Sequence, residues 1–404
     1  MRRGSWARME SGMCAAWCLI LAGAVAALAE DPPISKGFEY FYNLQYDDSI
    51  AEFTRQVAEQ PREPAGYNHL AQAILYRDMF RAGALESELV SGSNPFLRRS
   101  KVDASPEDQR KFDQAIGRAM ELAQATLKRN PNDTQALYAL GVSYGLRANY
   151  NFLVRKAWRD SLRDATSARR CHSRVSELDP GFIDAQLVQG LHDYIVGSLP
   201  AYWRFVGVLV GFHGNKDEGI RRLELVAEKG RANRIDAQIL LCAVCRRERR
   251  PQRAVVLLEG LIRRFPGNYL LPMELAQMYS DLGNKEKALA PLRQLERQKH
   301  SGASGFAQLR MEKIYYAEGT IEFWYNDLDT ALANMKQATS AAEELDLNTG
   351  VLAWMRLGQI YDLKGQRGLA IEAYRHAMAF APDSDAARES RQYLVSPYRR
   401  KQRG

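Results

Sequence analysis

Two short motifs carry residue types that do chemistry. Gly141-Val-Ser143-Tyr-Gly145 has the spacing of a nucleophile elbow, in which a strained strand-to-helix turn lifts a serine hydroxyl toward substrate. Cys242-Ala-Val-Cys245 has the spacing of a redox dithiol, whose reactive thiol is activated at a helix N-terminus. Each motif needs an element to position it. The stretch before Ser143, 134–140, reads as helix, and no strand–helix alternation builds a hydrolase sheet around it. Cys242 and Cys245 fall in mid-helix, where buried packing is the expected role and a dithiol the alternative. A zinc site needs four ligands at workable spacing, and no second pair accompanies these two. His69, His192, His213, His300 and His376 show no ligand spacing, and Cys171-His172 is expected on a helix face. With no phosphate-cradling glycine loop either, the sequence predicts no catalytic residue, no metal and no cofactor.

The 404 residues are 46% hydrophobic and 26% charged, a globular composition that excludes disorder, collagen and an integral membrane bundle. Lys and Arg number 56 against 48 Asp and Glu, a net charge of +8. The N-terminus has a basic head (Arg2, Arg3, Arg8), an apolar run over 14–28 and an Ala27-Leu28-Ala29 close. That is the form of a secretory signal peptide, residues 1–29. As a helix the run rises only ~22 Å, short of a ~30 Å hydrocarbon core, so cleavage after Ala29 is expected over a permanent span. Its removal takes away three Arg and Glu10 and leaves +6. The expected location is the periplasm or cell envelope by a Sec-type route, which excludes nucleic acid as a partner. Peripheral contact with an anionic membrane or envelope polymer remains open for the clusters at 246–253 and 163–174 and for the basic tail 396–404, which reads as disordered.

A repeating spacing organises the rest. Trp354, Leu357, Gly358, Tyr361, Gly365, Ala370, Tyr374, Ala377 and Pro382 lie within one short stretch. Leu357 and Tyr361 share a helical face, Gly358 admits a neighbouring helix, Ala370 and Ala377 are small contacts on that neighbour, and Pro382 stops it. This pattern resembles the tetratricopeptide repeat. The same frame recurs at Leu241, Ala254, Leu258, Leu261 and Pro266, then at Leu275, Ala276, Tyr279, Gly283, Ala288 and Leu292. Units begin near residues 30, 64, 134, 183, 235, 269, 312 and 351, with Glu322 standing where an aromatic belongs in the seventh. The resemblance implies an all-α, right-handed superhelical solenoid of helix-turn-helix repeats over 30–384, closed by a capping helix at 385–395.

Insertions lengthen the frame near 80–108, 149–163 and 194–217. The last holds the most apolar stretch of the exported chain, 194–212. Residues 194–223 resemble, loosely, a segment of a eukaryotic tetratricopeptide family that acts at the mitochondrial outer membrane. That likeness concerns architecture alone; it is the repeat solenoid that implies a non-catalytic scaffold binding a peptide or protein on the concave surface of its first helices. Candidate binding residues are Asn68, Gln72, Gln277 and Gln359 on those helices, with Trp203 and Phe212 as aromatic anchors in the insertion. The alternatives are an envelope component that self-associates or meets the membrane through 194–212, and an exported enzyme with chemistry around Asn94 and His213. Partner identity and oligomeric state are left open.

Overall fold

Asp133, Asn215, Asn284, Asp346, Ser105 and Ser384 each accept a hydrogen bond from a backbone N–H of the following first turn, and each starts a helix. Pro64, Pro106 and Pro251 start three more or join that cap, at the one helical position where a missing N–H is harmless. The computed structural model describes residues 34–85, 102–198, 214–303 and 305–400. Lys36–Gly404 forms a unit separate from Met1–Ser35. Among the described residues there are seventeen α-helices and no strand.

They pair as antiparallel hairpins: α1 Lys36–Tyr42 with α2 Tyr46–Glu59, α3 Pro64–Arg81 with α4 Pro106–Arg129, and α5 Thr134–Tyr150 with α6 Trp158–Leu178. Next come α7 Gln186–Gly197 with α8 Lys216–Lys229, α9 Arg234–Arg247 with α10 Pro251–Arg264, and α11 Leu270–Asp281 with α12 Lys285–His300. Helices α13 Met311–Trp324 with α14 Leu328–Ser340 and α15 Leu347–Leu363 with α16 Arg367–Phe380 complete the stack, and α17 Asp385–Val395 packs on α16 and α15. The first helix of a hairpin is pressed from several sides. Thus α5 touches α3, α4 and α6, and buries residues all round. Second helices bury one stripe: α4 hides Phe112, Ala115, Ile116, Ala119, Met120 and Ala123, spaced by three and four, and of its charged residues buries only Asp108, which pairs with Arg77.

The small positions of the repeat do what their spacing requires. A Cβ on Gly358 would stand 2.5 Å from the Tyr374 ring, and one on Gly141 would stand 2.8 Å from His172. Tyr374 and His172 are fully buried. His172 therefore lies in the core between α5 and α6, not on a helix face, and neither of its ring nitrogens has a hydrogen-bond partner among the described residues. Burial lowers its pKa to about 4. The insertion after α5 continues as a short π-helical turn, Asn151–Arg155, ended by Lys156 in the left-handed region.

The stack also meets itself. The Tyr42 hydroxyl donates to Asp236 Oδ1 at 3.0 Å, and Asn268 Nδ2 donates to the Tyr42 carbonyl at 2.8 Å. The Gly267 N–H donates to Asn43 Oδ1 at 2.9 Å, and the Tyr42 and Phe265 rings lie 5.0 Å apart. Phe80 reaches Tyr269, and Asn233 Nδ2 donates to the Tyr138 hydroxyl at 2.7 Å. The first three hairpins thus touch the fifth and sixth through helix ends and the turns that join helices.

Candidate functional site

The polar residues chosen from the sequence have diverse fates. Asn68 is buried, its amide spanning from α3 to α5: Nδ2 donates to the Ala139 carbonyl at 2.8 Å and Oδ1 accepts from Ser143 at 2.7 Å. This removes Asn68 from any groove and gives Ser143, fully buried, a structural role. Gln359 is buried as well, with Oε1 accepting from Arg356 at 2.8 Å. Both were assigned to an open face because polar residues on first helices look solvent-facing in sequence, whereas here neighbouring hairpins cover them. Gln72 and Gln277 are half-buried, and Gln277 donates to Asp281 on its own helix at 2.9 Å. Trp203, Phe212, His213 and Asn94 lie outside the described residues, as does most of the apolar insertion. Cys242 and Cys245 are buried free thiols, and burial pushes both above the ordinary thiol pKa, opposite to the activation a dithiol site requires.

The basic clusters are engaged in part in ion pairs. Arg246 meets Glu274 at 3.2 Å, Arg174 meets Glu177 at 3.0 Å, and Arg163 meets Asp160 at 2.8 Å. A cleft of about 420 Å³ is lined by Arg169, Ser173, Gln189, Asp193, Asn215 and Arg222. Its Arg222 already donates to Gln189 at 2.7 Å and to Glu218 at 3.1 Å.

The best-built site lies where sequence gave a disordered tail. After α17, Ser396 takes an extended backbone and Pro397 stops the helix. Residues 397–400 form no helix and alternate in exposure: Tyr398 and Arg400 are half-buried, Pro397 and Arg399 are exposed. They cross the C-terminal ends of α13 and α15. The Tyr398 N–H donates to Asp362 Oδ2 at 2.8 Å. The Tyr398 ring lies 5.4 Å from Tyr393, edge-on, and 6.0 Å from Phe323. The Arg400 guanidinium lies 4.9 Å from the centre of the Phe323 ring and donates to the Phe323 carbonyl.

Each seat is fixed by other residues. Asp362 has a fully buried side chain that accepts from Arg367 at 2.9 Å and from the Tyr374 hydroxyl at 2.8 Å. Burial, then the hydrogen bond to Asp362, pushes the Tyr374 phenol well above its ordinary range. Arg367 also donates to the Tyr393 and Leu394 carbonyls at 2.7 and 2.9 Å, satisfying the end of α17. Phe323 is fully buried, while Trp324 beside it is 55% exposed, and Arg356 spans the two at 4.4 and 4.9 Å from their ring centres. The only sequence signals for this site were Pro397 ending a helix and an aromatic at Tyr398.

Residues 351–384 match the tetratricopeptide repeat family. No curated protein matches the chain. Among solved structures, the Cut9-Hcn1 hetero-tetramer of the APC/C is 15% identical over 89% of this chain and 54% of that one, with a TM-score of 0.48. The chain therefore spans about half the length of that structure. Human IFIT1, solved as a dimer with m7Gppp-AAAA, is 15% identical over 90% and 81% of the two chains, with a TM-score of 0.46. Yeast Tom70 is 13% identical over 89% and 93%, with a TM-score of 0.40. The fold assignment rests on the hairpins themselves and on the matched repeat.

Proposed function

We propose that this chain, an all-α stack of hairpins carrying a tetratricopeptide repeat, is a non-catalytic protein-interaction scaffold that holds a non-helical segment of a protein partner. One observation carries the reading: Tyr398 and Arg400, in a non-helical segment, are held across the ends of two first helices by a carboxylate, a backbone carbonyl and an aromatic ring. The hairpin ends are thereby competent to hold non-helical polypeptide. Exposed Trp324 extends the same surface. The N-terminal segment supports export, and so a partner in the periplasm or cell envelope.

Photo-crosslinking tests this. A photoreactive phenylalanine analogue at Trp324 is expected to give a discrete adduct with one partner protein in envelope fractions, absent when the analogue is placed at exposed Val256. No position-dependent adduct at Trp324 would overturn the scaffold reading. N-terminal sequencing of the exported chain is expected to begin at Glu30, and a cytoplasmic chain retaining Met1 would overturn the location.

A further inference from the structure

We infer that the seat over Asp362 and Phe323 is an exchangeable peptide site, kept filled by the chain's own Tyr398 and Arg400. Its outside ligand is a non-helical protein segment reading aromatic–x–Arg. This deepens the scaffold reading and rests on it. The receptor side is held by residues outside the tail: Arg367 and Tyr374 donate to Asp362, and Arg356 lies over Phe323 and Trp324. A seat held by residues other than its occupant loses little order on accepting a new one.

The tail, by contrast, is lightly held. Ser396, Pro397 and Arg399 are exposed. Arg400 Nε is buried without a hydrogen-bond partner among the described residues. Arg400 also shares the Phe323 ring with a second guanidinium, Arg356. What secures it is tethering, since a short linker gives an effective concentration of about millimolar order. An outside segment succeeds when it satisfies the same seats and adds contacts beyond them.

The seats define the ligand chemistry. Asp362 reads a backbone N–H, which any residue but proline supplies. The neighbouring surface of Tyr393 and Phe323 reads an aromatic ring. Two residues on, the Phe323 ring and carbonyl together read a guanidinium that lies over the ring and donates at once, which a lysine ammonium cannot do equally.

The test uses the full chain and a fluorescein-labelled peptide with the sequence of residues 396–404. Fluorescence anisotropy compares the parent with the tail-released variant Tyr398→Ser plus Arg400→Ser, both checked for helical content and melting. The released variant is expected to bind the peptide on the order of ten-fold more tightly than the parent, because the tethered competitor is gone. Within the peptide, alanine at the position of Arg400 is expected to weaken binding about ten-fold, and alanine at Arg399 about two-fold or less, although both remove one charge. Equal binding to parent and variant, no binding by a folded variant, or equal loss from the two alanines would overturn the inference. A shift of the parent to dimers in sedimentation, abolished in the released variant, would make a second copy the occupant and overturn the outside-ligand assignment. A position-dependent Trp324 adduct together with a failed peptide assay would sink the exchange inference alone and leave the scaffold standing.

Discussion

Two of the places where the chain folds back on itself are built in opposite ways. At the N-terminal closure, Tyr42 is 4% exposed and meets Asp236 across 194 residues of sequence. Its neighbours are aromatic and its hydrogen bonds complete. At the C-terminal seat, the returning Tyr398 and Arg400 are half-buried, span fewer residues and leave Arg400 Nε without a hydrogen-bond partner among the described residues. Buried, fully bonded contacts contribute to stability, whereas exposed, tethered ones contribute to occupancy. The first closure belongs to the fold and the second to what the fold holds.

Four measurements sharpen or break that contrast. The largest effect is expected from Tyr42→Ala, which removes a buried ring and leaves Asp236 without its donor, a loss of about 3–5 kcal/mol in denaturant unfolding. A loss below that of Tyr398→Ala would erase the distinction. Second, Asp362→Ala leaves Arg367 and Tyr374 without their shared acceptor and is expected to cost about 2–4 kcal/mol, so the receptor side behaves as core although its occupant does not.

Third comes pH. Burial, with the nearby Asp184 charge adding and the Tyr42 hydrogen bond opposing, pushes Asp236 up to about 6. A carboxyl raised in the folded state stabilises fully below its ordinary range, and that contribution is lost as pH rises through about 6. Asp236→Asn should therefore flatten the pH dependence over this window, by on the order of 1–2 kcal/mol between acid and neutral unfolding curves. Identical pH slopes in parent and variant would exclude a desolvated Asp236. His69 and His172, both lowered to about 4 by burial, act in the opposite sense. Their contribution is present above the ordinary histidine range and lost as pH falls toward 4, in both proteins alike. The smallest effect belongs to Tyr398→Ala, expected below about 1 kcal/mol with an unchanged denaturant slope. A drop of several kcal/mol there would make the tail part of the core.

The hairpins were legible because their interior is encoded locally. Gly358 and Tyr374 lie sixteen positions apart, within one repeat, and their contact is already implied by the need for a small residue opposite a large one. Neither self-closure has such a code. Nothing near Tyr42 announces Asp236, and nothing near Tyr398 announces Asp362, since both pairs depend on how successive hairpins rotate relative to one another. Asn68 and Gln359 were misplaced for the same reason: polarity marks a residue that needs partners, and only the stacked neighbours show whether those are water or backbone. Composition misled at the tail, where arginines read as solvated although an aromatic ring and a carbonyl were waiting for one of them.

The closure through Tyr42 also sets a clock. A stack bound only through neighbouring hairpins can assemble in the order its chain appears and can fray from either end. Here the first hairpin has a partner that emerges 194 residues after it. At roughly 5–20 residues per second, Tyr42 waits about 10–40 s before Asp236 exists to receive it, and slightly longer for Phe265. During that interval the beginning of the chain is an aromatic surface without its cover, and the molecule's vulnerability is greatest before most of it has been made.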